Sequence, residues 1–391
     1  GVSRTEQAEP GGVSRTEQAE PGGVSWTTRK APARDSDRSG PGRLELFARF
    51  PALAGLGRVA FGAFPTPVER VDLAGLRGPL WIKRDDLNAR LLTDTDAQCA
   101  GGNKLRALEF LLGRVSRGDT VLALGGDGST HVLATVALAR RLGARTVAIR
   151  WRHEMNDIAR EVDRRARERS DVVRSERGAV RAVVRGWLTA SGARGPGAVW
   201  RLPPGGASPL GMLGAVNAGL ELAAQVARGD APAPAHVVLP LGTGGTAGGL
   251  ALAFAIAGLD TEVVGVRVVP RIVSNRRRVL ALAHRCARLI ERTTATRVPR
   301  VRQGSVRVLH RYFGGAYGRP LDAAREVRGV FEHATGVILD ETYGAKAFAA
   351  AVDLAQTTDA TILYWLTFDA RSVSASRRAA DAASMRGGPV A

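Results

Sequence analysis

From Leu80 to Leu366 the chain alternates short apolar runs with longer stretches of helical periodicity, and glycine-rich turns mark several of the joints. That alternation is what strands and crossover helices of a parallel sheet look like in sequence, because a strand covered on both faces needs apolar residues throughout. It predicts strands at Thr120–Leu124, Arg145–Trp151, Ala198–Leu202, His236–Leu241, Thr261–Val268 and Thr361–Leu366. Helices are predicted at His131–Leu142, Asp157–Arg169, Leu210–Val226 and Ala247–Ala257. Open α/β sheets bind ligands at the carboxyl ends of their strands, so the glycine turns that follow strands fall where a site is expected.

A chain of 391 residues with 45% hydrophobic content can bury a sizeable core, as two domains or one large α/β unit. Its two cysteines, Cys99 and Cys286, cannot build a disulfide framework, which fits a reducing compartment and a cytoplasmic protein. The net charge of +19 raises a polyanion partner, and Arg271 to Arg311 holds twelve arginines against the single acid Glu291. Arginines are nevertheless spread through nearly every predicted helix, without interleaved aromatic residues, so they read as solvated faces and no specific nucleic-acid partner is expected. The stretch from Ala231 to Leu259 carries no charge before Asp260, yet Pro240, Gly242, Gly244, Gly245, Gly248 and Gly249 break it into strand, loop and helix. It reads as core, and no membrane span is expected. Gly1 to Gly11 recurs identically as Gly12 to Gly22, a polar repeat expected to be a disordered leader without the apolar middle of a signal peptide. The Ser/Ala/Arg/Gly-rich tail after Arg371 is expected to be disordered as well.

Lys104 carries the most pointed chemical signal. It follows Gly101-Gly102-Asn103 at the mouth of an apolar helix, where burial and the positive end of the helix both favour the neutral amine. A neutral lysine can form a Schiff base with an aldehyde cofactor, whereas a surface lysine in a turn would explain the tetrapeptide alone equally well.

Pro65-Thr66-Pro67, Ile82-Lys83-Arg84-Asp85-Asp86-Leu87 and Gly101-Gly102-Asn103-Lys104 resemble the opening of the pyridoxal-phosphate enzymes grouped as 1-aminocyclopropane-1-carboxylate deaminase and D-cysteine desulfhydrase. The resemblance runs with gaps from about Phe61 to Thr367. It implies the tryptophan-synthase-like α/β fold, with mostly parallel sheets, flanking helices and the cofactor between two domains. That division gives a large domain from 45–106 and 218–370 and a small domain at 107–217, flanked by the leader and tail, expected to be disordered, at 1–44 and 371–391. It also implies that Lys104, next to Asn103, carries pyridoxal 5'-phosphate, and that the enzyme is a homodimer.

Four further segments fit that frame. Gly242-Thr243-Gly244-Gly245-Thr246 follows an apolar strand and opens an apolar helix, so its amides and the helix N-terminus suit a phosphate. A glycine turn needed only for close strand–helix packing is the alternative. Gly125-Gly126-Asp127-Gly128-Ser129-Thr130-His131 places Ser129, Thr130 and His131 at a helix start, where they could hold a substrate carboxylate. Ser129 could equally be a simple helix cap. The matching family turn is Gly-Ala-Ile-Gln-Ser-Asn-His, so Gly128 replaces a glutamine and Thr130 an asparagine that contacts the cofactor. Gly-Gly-Asp-Gly also looks like the nucleotide turn of NAD and diacylglycerol kinases, although that likeness covers this turn alone.

Pro203-Pro204-Gly205-Gly206 resembles the family's proline-glycine loop, expected to shape the backbone. Leu339-Asp340-Glu341-Thr342-Tyr343-Gly344-Ala345-Lys346-Ala347 resembles the family's Leu-Asp-x-x-Tyr-x-x-Lys-Ala segment, which makes Tyr343 a candidate for proton transfer and Lys346 structural. At Leu366-Thr367-Phe368-Asp369 desulfhydrase-like members carry His-Thr-Gly-Gly, and only Thr367 is retained. A hydroxyl facing the pyridine nitrogen makes a mild electron sink. Gly344 stands where the deaminase branch has a glutamate, which argues against cyclopropane opening. The resulting expectation is β-elimination from a small amino acid, with catalytic Lys104, Ser129 and Tyr343. The cofactor is expected on Asn103, Lys104, Thr130, Gly242 to Thr246 and Thr367. The 1-aminocyclopropane-1-carboxylate deaminase activity, cofactor binding without turnover, and a kinase remain as alternatives. Phe368 is expected to narrow the pocket if its bulk points inward.

Overall fold

The computed structural model describes residues 27–30, 44–92, 100–189 and 197–370. In chain order its elements begin with β1 (Thr27–Lys30), α1 (Glu45–Arg49), β2 (Val68–Asp72), β3 (Leu80–Arg84) and α2 (Asn103–Leu111). Then come β4 (Thr120–Gly126), α3 (Thr130–Arg141), β5 (Arg145–Trp151), α4 (Asp157–Glu168), β6 (Val172–Glu176), α5 (Ala179–Thr189) and β7 (Val199–Leu202). The remainder is α6 (Pro209–Ala227), β8 (His236–Leu241), α7 (Gly245–Ala257), β9 (Glu262–Arg267), α8 (Arg276–Thr294), β10 (Val306–Leu309), α9 (Asp322–Thr335), α10 (Gly344–Thr357) and β11 (Ile362–Leu366).

These strands form two sheets. The larger has the order β1-β2-β3-β11-β8-β9-β10 and the smaller β6-β5-β4-β7. Every pair in the small sheet is parallel, as is every pair from β3 to β10 in the large one, while β1, β2 and β3 pair antiparallel. The two-residue period of a strand sorts the core. On β8 and β11, Val237, Leu239, Leu241, Leu363 and Trp365 pack with α6, α7 and α8. Val238, Ile362, Tyr364 and Leu366 pack on the opposite face with α10. That double cover explains why both strands are apolar almost throughout.

Both internal boundaries expected from the sequence fall inside helices. Residues 106 and 107 lie in α2, and residues 217 and 218 lie in α6. Most of the expected leader and the whole tail lie outside the described residues, as does Cys99. Within that leader span, Thr27–Lys30 is a strand paired with β2, which corrects the expectation of disorder for those four residues.

At 19 residues, α6 is long and apolar enough to span a membrane, yet 72% of its apolar window is buried inside the protein. Its buried polar residues Asn217, Glu221 and Gln225 recur every fourth position, on one helix face. Asn217 accepts from the Leu46 amide at 3.1 Å, and Gln225 donates to the Thr66 carbonyl at 2.9 Å. A lipid-facing helix would have no such partners for these groups.

Candidate active site

Strands of both sheets end at one cavity of about 660 Å³. The end of β4 supplies Gly125, Gly126, Ser129 and Thr130, and the end of β8 supplies Gly242 to Thr246. The end of β11 supplies Thr367 and Phe368, while α2 supplies Asn103 and Lys104. Because β11 pairs directly with β8, Thr367 and the Gly242 loop sit at the ends of neighbouring strands.

The turn before Lys104 is held by backbone. Asn88 grips Gly102 from both sides, accepting from its amide and donating to its carbonyl, each at 2.9 Å. The Asn103 amide donates to the Thr367 carbonyl at 3.1 Å. Gly102 has φ +109°, and a Cβ there would lie 2.0 Å from that same carbonyl oxygen, so only glycine fits. The Asn103 side chain reaches across the cavity floor and donates to Thr246 Oγ1 at 2.9 Å. Lys104 Nζ points toward the Gly205 carbonyl at 3.5 Å, so the proline-glycine loop contributes an acceptor as well as shape. Burial lowers the Lys104 amine from the usual 10.5 to about 8. Burial, one of the two causes expected from the sequence, drives this shift.

Below this lysine lies a buried charge network that the sequence did not reveal. Lys83 Nζ donates to Glu221 and Gln225 at 2.6 Å and to the Thr66 carbonyl at 2.7 Å. Arg106, two residues after Lys104, pairs with Asp85 at 2.7 Å and with Glu221 at 2.9 Å. Trp365 Nε1 closes the network on Asp85 at 2.8 Å. The network fixes the start of α2 against α6 and β11, so the lysine-bearing turn rests on a rigid base.

On the small-sheet side, Ser129 caps α3 by accepting from Val132 N at 3.4 Å, so the cap role is real while the residue also lines the cavity. Thr130 and His131 line it too. Burial, aided by the neighbouring Lys104, pushes His131 down to about 3, so its ring is neutral. Gly128 has φ +69°, and a Cβ there would lie 2.6 Å from the Ala159 carbonyl oxygen. The glutamine of the resembling turn has no room here. Asp127 pairs with Arg150 at 3.1 Å and does not line the cavity, so the Gly-Gly-Asp-Gly turn has no free carboxylate aimed at it.

Tyr343 precedes α10, and Asp340 accepts its amide at 2.7 Å and that of Gly344 at 3.0 Å. Its hydroxyl bonds the hydroxyl of Tyr317, a cavity residue missing from the sequence reading. Tyr317 stands in Gly314-Gly315-Ala316-Tyr317-Gly318, and a lone aromatic among glycines outside any regular element was the available signal. Burial raises the Tyr317 phenol to about 12 and the Tyr343 phenol well above its usual 10, so both are neutral and able to donate. His153 packs edge-on against Tyr317 with ring centroids 4.4 Å apart. Lys346 donates to the Phe313 carbonyl at 3.0 Å and does not line the cavity. Phe368 is 7% exposed and packs with Val132, Leu133 and Ile338, so most of its bulk is spent in the core.

The cavity fits an aldehyde cofactor that carries a phosphate. A desolvated amine lines it, and so does the Gly242 loop, which runs into the N-terminus of α7, whose first amides lack partners within the helix. A Cβ built on Gly242 would meet nothing closer than the Tyr343 ring at 3.8 Å, so the loop leaves open the space a phosphate needs. Arg278, which donates to the Thr243 carbonyl at 3.2 Å, adds positive charge beside it. Fold and cavity together define an α/β enzyme of the tryptophan-synthase-like type.

Residues 59–367 match the family described as pyridoxal-phosphate dependent enzyme, and the chain belongs to that family. It is 29% identical over 324 residues to a D-cysteine desulfhydrase of Salmonella paratyphi C (strain RKS4594), covering 79% of this chain and 90% of the relative. It is 34% identical over 337 residues to the nocardicin C-9' epimerase of Nocardia uniformis subsp. tsuyamanensis, covering 82% and 94%. Among solved structures, an ACC deaminase homologue superposes with a TM-score of 0.66 at 26% identity, covering 84% of this chain and 96% of that one. The cofactor of the family is pyridoxal phosphate, so the aldehyde expected at Lys104 has its chemical identity.

Proposed function

We propose that this enzyme removes the α-proton of an amino acid and expels its β-substituent, giving a keto acid, ammonia and a leaving group such as sulfide, with one water consumed. The observation that carries this reading is the Lys104 amine, brought to about 8 by burial and lining one cavity with the Gly242 loop and Thr367. Likeness to the D-cysteine desulfhydrase supports the elimination. When bound, pyridoxal phosphate supplies the electron withdrawal that acidifies the α-proton.

In this reading Asn103, Gly242 to Thr246 and Thr130 hold the cofactor, with Thr367 facing its ring nitrogen. Lys104 Nζ anchors it and then accepts the α-proton. Ser129 and Thr130 bind the substrate carboxylate beside neutral His131. Tyr343, steadied by Tyr317, donates a proton toward the leaving group. The large domain comprises 45–106 and 218–370 and the small domain 107–217. Strand content supports this, since β4 to β7 span 120–202 alone. The enzyme works as a homodimer in the cytoplasm, with no specific nucleic-acid or membrane partner. The scarcity of cysteine and the spread of arginine support the last two points.

Likeness to the nocardicin epimerase favours a second reading, in which the α-proton is removed and returned without elimination. One experiment tests both. Purified protein with added pyridoxal phosphate is followed by absorbance, then given a panel of D- and L-amino acids in deuterated water. Keto acid and ammonia indicate elimination, whereas deuterium at Cα with inversion and no keto acid indicates epimerisation. Loss of neither a visible cofactor band nor turnover in Lys104→Ala would overturn the central assignment.

A further inference from the structure

The described residues expose six large apolar side chains, and their distribution is uneven. Val180 (78% exposed) and Val184 (52%) lie on α5 and line the same cavity that Lys104 lines. Leu188 (69%) continues their stripe one turn further along the helix, at the same four-residue spacing. Val269, Pro270 and Val273 line the same cavity, and Ile272, 86% exposed, stands in that segment. Trp151, at the end of β5, lines it as well.

This exposure follows from how α5 is seated. Its inner face combines Ala182 and Gly186 with the partly buried Val183. Ala182 packs among Leu122, Leu124, Val147 and Ile149, and a Cβ on Gly186 would meet Leu124 and Ile149 at 3.2 and 3.4 Å. The helix therefore lies close on the sheet through its two small residues, while Val180 and Val184 stay exposed at the cavity. Leaving several large aliphatic groups in water around one opening is unfavourable unless something apolar covers them in use. Cysteine or serine would be too short to do so while its α-carbon is held at Lys104.

We propose that the substrate is an amino acid whose β-substituent carries an aromatic or branched apolar group, seated between α5 and the 269–273 segment. An S-aryl cysteine has this chemistry. Its Cβ–S bond breaks as the α-proton leaves, the arylthiol departs, and water releases ammonia and the keto acid. The proposal rests on the elimination reading above and names its substrate class. Continuity of the apolar walls with the catalytic cavity is what assigns them to a substrate, not to a second copy of the chain.

The test uses full-length protein loaded with pyridoxal phosphate, with both enantiomers of S-phenylcysteine and alanine as probes. Binding is read as perturbation of the cofactor absorbance, and thiol release is read separately. S-phenylcysteine is expected to half-saturate the change at a concentration at least tenfold below that of alanine of the same hand, as apolar pockets discriminate by about that factor per small group. The V180N/V184N double variant, changed at exposed positions, is expected to erase most of that preference while leaving alanine binding and the cofactor band as they were. I272N should act in the same direction. Equal half-saturation for both probes in the parent, or equal weakening of both in the double variant, overturns the proposal. So does conversion of a dimer to a monomer by V180N/V184N in sedimentation, which would give the stripe to a second copy. Absence of a cofactor band from the parent protein would sink the elimination reading and this proposal together, whereas a normal band without aryl preference sinks this proposal alone.

Discussion

Glu221→Gln isolates the buried network that underlies the lysine-bearing turn. The Glu221 carboxylate accepts from Lys83 Nζ at 2.6 Å, Arg106 at 2.9 Å and the Thr66 amide at 2.7 Å. Although burial opposes ionisation, the two cations outweigh it and bring the carboxyl from the usual 4.5 down to about 2. At about 1.4 kcal/mol per pKa unit this corresponds to roughly 3 kcal/mol of stability at neutral pH. Because the folded pKa is depressed, that stability is present above about pH 4.5 and fades as the pH falls toward 2. The amide cannot replace it, and it turns a donor toward Lys83 or Arg106, a loss of the same order as breaking a buried pair, about 3–5 kcal/mol. Arg106 keeps Asp85, and Lys83, already lowered by burial, can shed its proton, so the lower end of that range is expected. In a protein of 391 residues the melting midpoint should fall by roughly 4 °C at pH 7. Circular dichroism melts of parent and variant across pH 3–8 would measure the gap. It should narrow steadily below pH 4.5, and the apolar double variant K83M/E221L should lose less than E221Q. A gap under one degree at pH 7, or one that stays constant down to pH 3, would refute the reasoning.

Other expectations follow from single contacts. With its amine near 8, Lys104 is neutral in roughly a tenth of molecules at pH 7, against about one in 3,000 at an ordinary 10.5. The rate at which cofactor-free protein develops its absorbance with pyridoxal phosphate should therefore rise with pH and level off above about 8, and a rise continuing past pH 10 would contradict it. Gly102→Ala places a methyl against the Thr367 carbonyl and should weaken cofactor binding at least tenfold by fluorescence titration. Tyr317→Phe leaves the Tyr343 hydroxyl without its partner and should lower kcat by about 10- to 100-fold, with cofactor affinity within twofold. Burial pushes the Cys286 thiol up to about 12, so peptide mass spectrometry should find it alkylated only after unfolding.

Two strands were legible to the residue. Arg145–Trp151 and His236–Leu241 form as read, because most of each is buried, whereas β4 runs two residues past the expected Leu124 and β11 starts one residue after the expected Thr361. β6 escaped notice since most of Val172–Glu176 is solvated and only its backbone is fixed by β5. α8 was hidden beneath its arginines, although Val279, Leu282, Ala283, Cys286, Ala287 and Ile290 trace a buried stripe. The charge network could not be read from sequence at all. Asp85 meets Trp365 across 280 positions, and nothing local marks Glu221 as the partner of Lys83 and Arg106. The motifs around Lys104, Gly242 and Thr367 were readable because each is contiguous. Their convergence depends on β11 lying between β3 and β8, which is a property of the topology.

The departures from the resembling motifs have packing explanations that bear on the proposed roles. At Gly128, the close approach of Ala159 and a positive φ exclude every side chain, so α4 is pressed against the turn and the amide carried by the family is lost with it. At Phe368, the ring joins a core cluster with Val132, Leu133 and Ile338, so a glycine in that place would leave a void beneath α3. Both changes fall where helices of the small sheet pack, Gly128 against α4 and Phe368 against α3. The contacts that define the lysine turn, from Asn88 to Gly102, from Asn103 to Thr246 and from Asn103 to Thr367, use none of the altered side chains, although Phe368 directly follows Thr367. Changes that leave the contacts of the lysine turn in place should alter the choice of amino acid more than cofactor attachment, with Thr130, which stands where the family has a cofactor-contacting asparagine, as the exception.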